Sequence, residues 1–177
     1  MKNLKLSNPT KGDKDALMKH FVETITDTVK KEEIQNKDEV IKSGVEEQMA
    51  NLERYFSSNS GIKENYLIAK LDSRIIGTIA YGRPSKLLLN TIKEELMGIP
   101  EIKSVYILPE FQRTGIGNFL FTEIKTMLKK SQISQYCLDC GYTKSQKYWK
   151  KRLGEPQYLL KDYWSKNNDH MIWKLPI

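Results

Sequence analysis

The chain has 177 residues, with 29 Lys and Arg against 22 Asp and Glu, a net charge of +7 and a pI near 9.2. That length suits one domain with a real core. Mean hydropathy is −0.57, polar for a folded protein, but nine Tyr, five Phe and three Trp argue against a disordered chain.

No apolar run approaches the roughly 20 residues of a membrane helix, and Met1-Lys2-Asn3-Leu4-Lys5-Leu6 lacks a signal-peptide core. Two cysteines make no disulfide framework, so a reducing cytoplasm is the expected location, with no membrane contact. A charge of +7 alone admits nucleic acid, an acidic surface or a small polyanion.

A short strand is expected around Asn3 to Ser7. Met18, Val22, Ile25 and Val29 then recur at helical spacing behind Asp13 and Asp15, which suit a helix cap. Ile41, Val45, Met49, Leu52 and Phe56 mark a second helix from Asp38 to Phe56, ended by Ser57 to Gly61. Tyr66 to Ala69 and Ile75 to Ala80 read as a β-hairpin turning at Leu71 to Arg74. A helical excursion over Ser85 to Met97 closes at Gly98-Ile99-Pro100, and Glu101 to Leu108 is a strand stopped by Pro109.

The next helix runs to about Lys130 on a stripe of Ile116, Phe119, Leu120, Ile124, Met127 and Leu128. Gln135 to Cys140 is a strand, and Ser145 to Leu153 a helix ended by Gly154 with Pro156 beyond. Tyr158 to Leu160 and Met171 to Trp173 give two last strands around the polar loop Ser165 to Asp169. The order predicts an α/β fold with one central sheet and helices packed on it.

The chemistry concentrates in strand, Pro109, Gln112-Arg113-Thr114-Gly115-Ile116-Gly117, then helix. A helix N-terminus offers free N–H groups and a partial positive charge to a phosphate. Glycines at 115 and 117 remove side chains that would hold an anion away, and Arg113 can add a charged contact. The P-loop pattern is absent, and a dinucleotide fingerprint would need Gly where Leu120 stands.

Ile107 to Gly117 resembles the acetyl-CoA signature of the Gcn5-related N-acetyltransferases (GNAT): an aliphatic residue, any residue, Pro, then Gln/Arg-x-x-Gly-x-Gly/Ala. The element order matches over nearly the whole chain. The resemblance implies a mixed sheet of about seven strands, splayed between the signature strand and the next, with acetyl-CoA as co-substrate and no metal. Ile107 and Leu108 would flank the pantetheine arm. Gln112, Arg113, Thr114, Gly115, Ile116, Gly117 and Asn118 would wrap the pyrophosphate, mostly through backbone N–H groups. Relatives are often dimers, so a homodimer is a candidate state.

Two catalytic candidates follow from the same resemblance. Family members protonate the leaving thiolate with a Tyr in a run ending in Leu-Gly. Anchoring on Leu153-Gly154 puts Lys150 at that position, and Tyr148 fits only if the helix carries extra residues. Glu101, at the start of the signature strand, matches a carboxylate that deprotonates the amine; a solvated strand-end glutamate is the alternative.

Cys137 and Cys140 lie three apart on a strand and so face opposite sides, which argues for burial over zinc or redox chemistry. The resemblance implies an acceptor groove walled by the first two helices and the loop between the last two strands, so Ser165 to His170, flanked by Tyr163 and Trp164, is a candidate wall, where Asp162 or Asp169 would hold a cationic amine or be ordinary solvated loop charge. From Phe111 to Gly154 nine basic residues face two acidic ones, an excess equal to the whole chain's charge. Lys144 to Arg152 is placed to meet a phosphorylated cofactor. The sequence therefore predicts an N-acetyltransferase acting on a small-molecule or peptide amine. A non-catalytic acyl-CoA-binding module is the alternative. A nucleic-acid-binding protein is disfavoured, because zinc-finger and RNP-type motifs are missing.

Overall fold

The computed structural model describes residues 3–32, 34–57 and 63–177. Strand β1 (Leu4–Ser7) leads into α1 (Lys14–Lys30) and α2 (Lys37–Ser57), and the hairpin β2 (Asn65–Leu71) and β3 (Arg74–Gly82) follows. After α3 (Lys86–Ile92) come β4 (Glu101–Ile107), α4 (Ile116–Lys130), β5 (Gln135–Cys140), α5 (Thr143–Leu153), β6 (Tyr158–Ser165) and β7 (Asn168–Pro176). The expected stop of α2 at Ser58 to Gly61 lies outside the described residues. Among the described residues no helix is long and apolar enough to cross a membrane.

Seven strands form one sheet in the order β1-β2-β3-β4-β5-β7-β6. Every neighbouring pair is antiparallel except β4 and β5. α1 and α2 cover one face, with Leu17, Phe21 and Leu52 packed on Tyr66, Ile68 and Ile75. On the same face α3 packs Leu88 against Cys137 and Ile172. α4 and α5 cover the other face through Leu120, Ile124 and Trp149. Cys137 and Cys140 are buried on opposite sides of β5, as strand alternation requires.

Two predicted faces are corrected. α1 buries Leu17, Phe21, Ile25 and Val29, while Met18 and Val22 are each 43% exposed. An i, i+4 stripe through Phe21 removes more apolar area from water than one through Met18 and Val22. In α4, Phe119 is 40% exposed and Phe121 is buried against Trp149, because α5 closes over that side.

The final hairpin is also longer than expected. Its turn is only Lys166-Asn167, and most of the anticipated loop is strand. β6 carries a register break between Leu160 and Ser165, with Asp162 at φ +52°. Asp169 Oδ1 accepts the Asp162 N–H, and Asp162 Oδ1 accepts the Asn167 N–H. Each aspartate thus closes the turn through its Oδ1.

β4 departs from regularity at Ser104, where φ is +54°. Thr78 pairs with Tyr106 but Ala80 with Lys103, so β4 holds one residue more than β3 there, a β-bulge. The parallel ladder between β4 and β5 registers at one pair, Glu101 with Cys137. Beyond it the strands part, which is the predicted splay.

His20 sits on the buried face of α1 beside Phe21, and neither ring nitrogen has a hydrogen-bond partner. Burial lowers its pKa from 6.5 to about 4. The unfolded chain therefore takes up a proton that the folded one refuses. Stability held above pH 6.5 is lost as pH falls toward 4, by up to ~3 kcal/mol. Urea unfolding of the wild type and His20→Leu at neutral pH and near pH 4.5 should show the wild type losing about 2 kcal/mol more between the two. Equal losses would remove His20 as the cause.

Candidate active site

The open end of β4 passes directly into the glycine loop. Leu108 is buried and donates its N–H to Ile76 O at 3.0 Å, which carries the edge of β4 one residue beyond the strand. Pro109 to Phe111 form one 3₁₀ turn, Gln112 is extended, and Arg113 sits at φ +63°. The Gln112 side-chain amide donates to Ile107 O at 3.2 Å, and Thr114 Oγ1 donates to Phe111 O at 2.6 Å. Gly115 caps α4 at φ +92°, a conformation that L side chains resist.

The Phe119 N–H bonds Gly115 O at 2.9 Å, so the N–H groups of Ile116, Gly117 and Asn118 precede the helical ladder. A Cβ at Gly115 would meet nothing within 4 Å. One at Gly117 would meet the Ile107 side chain at 3.7 Å and the Tyr148 hydroxyl at 4.0 Å. Glycines, amide donors and the strand opening thus form one continuous surface suited to a diphosphate on a long thin arm.

α5 supplies the other lip. Tyr148 is 43% exposed, with its ring edge-on to the buried Trp149 at 4.8 Å. Arg152, one turn later on the same helix face, hydrogen-bonds Asn118 Oδ1 and stacks over Phe121 at 4.6 Å. The predicted basic cluster does not act as a block. Arg152 reaches the first turn of α4, Lys150 pairs with Glu155 at 2.8 Å, and Lys125 and Lys129 line a groove between α4 and α5.

Glu101 is buried, not solvated, and accepts the Ser85 N–H at 2.6 Å. Ser85 caps α3, its hydroxyl accepting the Leu88 N–H, so the excursion helix places this donor. Burial, and then the Asp139 charge, push the Glu101 carboxyl well above the usual carboxylate range, with Lys103 opposing. Lys103 is itself nearly buried and bridges Glu64 Oε1 at 2.9 Å and Arg83 O at 2.7 Å.

Glu101 belongs to the sheet face under α1 to α3, whereas Tyr148 stands beside α4. They lie toward opposite faces of the sheet, Glu101 at the closed end of the β4–β5 ladder, and the structure does not bring them together. The sequence reading carried no sign that Glu47, Glu64 and Asp139 gather with Glu101 and Lys103, since they come from separate segments and share no spacing. It also offered Trp164 only as pocket lining; Trp164 is 59% exposed and its indole N–H donates to His170 Nδ1 at 3.0 Å.

Residues 30–154 match the Acetyltransferase (GNAT) family. No curated protein is significantly similar in sequence. PaiA N-acetyltransferase from Thermoplasma acidophilum, solved in complex with coenzyme A, has a TM-score of 0.66 at 17% identity, over 97% of this chain and 99% of that one. Ribosomal-protein-alanine N-acetyltransferase from Brucella melitensis gives 0.67 at 17%, over 98% and 99%. The ribosomal-protein-S18-alanine N-acetyltransferase of Escherichia coli gives 0.63 at 13%, over 98% and 94%. At these identities the likeness is one of fold.

The glycine cradle makes a direct prediction. Gly117→Val would push methyl groups toward Ile107 and the Tyr148 hydroxyl without weakening α4, since Gly is the poorer helix former. Calorimetric titration should show coenzyme A bound about tenfold more weakly, ~1.4 kcal/mol, with the melting temperature little changed. Unaltered affinity would separate Gly117 from the cofactor surface.

Proposed function

The chain belongs to the GNAT acetyltransferase family, and on that premise we propose that it transfers an acetyl group from acetyl-CoA to a primary amine by direct attack. The observation that carries this reading is the line from the β4–β5 opening, past Gly117 and the Tyr148 hydroxyl, to the free N–H groups of α4. Gly115, Gly117 and Arg152 fit a pyrophosphate, and Ile107 and Leu108 fit the arm leading to the thioester. Two neighbours bear the names of protein-alanine N-acetyltransferases, which supports a peptide N-terminus as one acceptor class beside small amines.

The thioester supplies an activated acetyl group, and the chain's residues supply positioning and proton transfer. Glu101 takes a proton from the acceptor ammonium, whose ordinary pKa is about 10 for a lysine-like amine. Its raised pKa suits this task, because a carboxyl poised nearer neutrality is the stronger base. Backbone N–H groups of β4 meet the developing oxyanion. Tyr148 gives its phenolic proton to the departing thiolate.

Thiol release with a panel of primary amines tests the reading. Tyr148→Phe and Glu101→Gln should each lower turnover about 10²-fold or more while leaving acetyl-CoA affinity nearly unchanged. Full activity in both variants would remove the two assigned roles. Tight acetyl-CoA binding without release to any amine would identify a non-catalytic binding module instead.

A further inference from the structure

The β5 wall of the opening holds a constellation that the proton-transfer roles above do not use. Asp139 stands two residues beyond Cys137, the β5 residue that pairs with β4, and on the same strand face. Its side chain is 20% exposed, so it is not sealed in the core. Among the described residues, Asp139 accepts no aligned hydrogen bond. Its nearest partner is His170 Nε2, 3.3 Å from Oδ2.

His170 is 4% exposed, and its Nε2 is buried without a hydrogen-bond partner. Nδ1 already accepts the Trp164 indole N–H. A neutral imidazole that accepts at Nδ1 carries its hydrogen at Nε2, here on the side of Asp139. The Trp164–His170 contact is packed over Gly141, where a Cβ would stand 2.6 Å from Trp164 Nε1 and 3.1 Å from His170 Nδ1. The β6 register break beside Trp164 belongs to the same arrangement. Thus β5, β6 and β7 converge on one carboxylate with unused lone pairs.

Glu47 on α2 and Glu101 on β4 share its surroundings. The Asp139 charge helps to raise both of them, after desolvation in each case. Lys103 opposes the rise in both, and Arg54 that in Glu47, yet both carboxyls stay raised, so a further cation at Asp139 would relieve the crowding of like charges.

We propose that Asp139 binds the ammonium group of the acceptor and that His170, fixed by Trp164, is the positioning residue that orients it. The proposal rests on the amine-acetylation reading and narrows it. The acceptor is a primary ammonium with no anionic group beside it, because an adjacent carboxylate would face Asp139 and Glu47. Alkylamines and peptide N-termini qualify; free α-amino acids do not.

The chain has two histidines, so a ¹⁵N-histidine spectrum of the full chain with coenzyme A contains two rings, assigned with His20→Leu. Titration with n-butylammonium should shift the His170 nitrogens. n-Butanol and glycine should not, and Asp139→Asn should abolish the response. No shift, or the same shift in Asp139→Asn, overturns the assignment.

In the release assay with the best amine of the panel, Asp139→Asn should raise the amine KM at least about tenfold and leave the acetyl-CoA KM within about twofold. His170→Gln, whose amide N–H can replace the Nε2 hydrogen, should stay near wild type, while His170→Leu should follow Asp139→Asn. Equal losses in the Gln and Leu variants overturn the positioning role. A His170 shift without thiol release from any amine refutes acetyl transfer and leaves Asp139 as an ammonium site. Release with an unchanged amine KM in Asp139→Asn refutes the Asp139 assignment and leaves acetyl transfer standing.

Discussion

Ser104 holds a backbone conformation that costs a non-glycine residue ~1–3 kcal/mol, and side chains from three elements keep it there. The Thr78 hydroxyl donates to Ser104 O at 2.9 Å, covering the carbonyl that the bulge displaces. The Ser104 hydroxyl spends its one hydrogen on Gln48 Oε1 at 2.6 Å, so the Tyr66 hydroxyl, 3.1 Å away, is the donor to Ser104 Oγ. Three buried hydrogen bonds at ~1 kcal/mol each offset the strain. Without the bulge β4 would continue beside β5, and the opening would close into ordinary parallel sheet. Since Gln48 comes from α2, a helix on one face of the sheet helps hold open the strand that leads into the glycine loop.

The two sides of that opening differ in charge. Arg113, Arg152 and the lysines of α4 and α5 lie toward the glycine loop, while Glu47, Glu101 and Asp139 gather on the other sheet face. The net +7 averages over both. Summed along the chain, the residues outside Phe111 to Gly154 are neutral, which suggests an uncharged acceptor region. Folding changes that picture, because the three acids converge with the nearly buried Lys103 beside them, while other lysines that balance the sum stay on the surface. Partial burial also enlarges their interactions relative to exposed lysines.

What was legible in the sequence was contiguous in it. The stretch from Ile107 to Gly117 announces a strand end, a turn and a helix N-terminus within eleven residues, and the structure places each where the pattern puts it. The hairpin turn at Asp72-Ser73, the excursion closed by Gly98 and the strand carrying both cysteines were equally local. The face of α1 was not, since Met18 and Phe21 are both apolar and only the packing partners on β3 and β4 select between them. Asp139 and His170 were illegible for a stronger reason. An isolated acid on a strand and a distant histidine carry no spacing signal, and their meeting depends on β7 inserting between β5 and β6.

The α5 helix shows how packing settles what motif register leaves open. Counting back from Leu153-Gly154 puts Lys150 at the site, yet Lys150 faces outward to Glu155. Two interactions fix the rotation of the helix. Trp149 is driven into the core against Phe121, and Gly154, at the helix end, accepts the indole N–H of Trp173 at 3.0 Å. With Trp149 inward, the residue about 100° around the helix is Tyr148, and the residue one turn further on that face is Arg152. Both therefore point at the first turn of α4, the hydroxyl toward Gly117 and the guanidinium onto Asn118. A tryptophan in the core thus decides which side chain meets the opening, and a two-residue shift in the motif leaves Tyr148 beside Gly117.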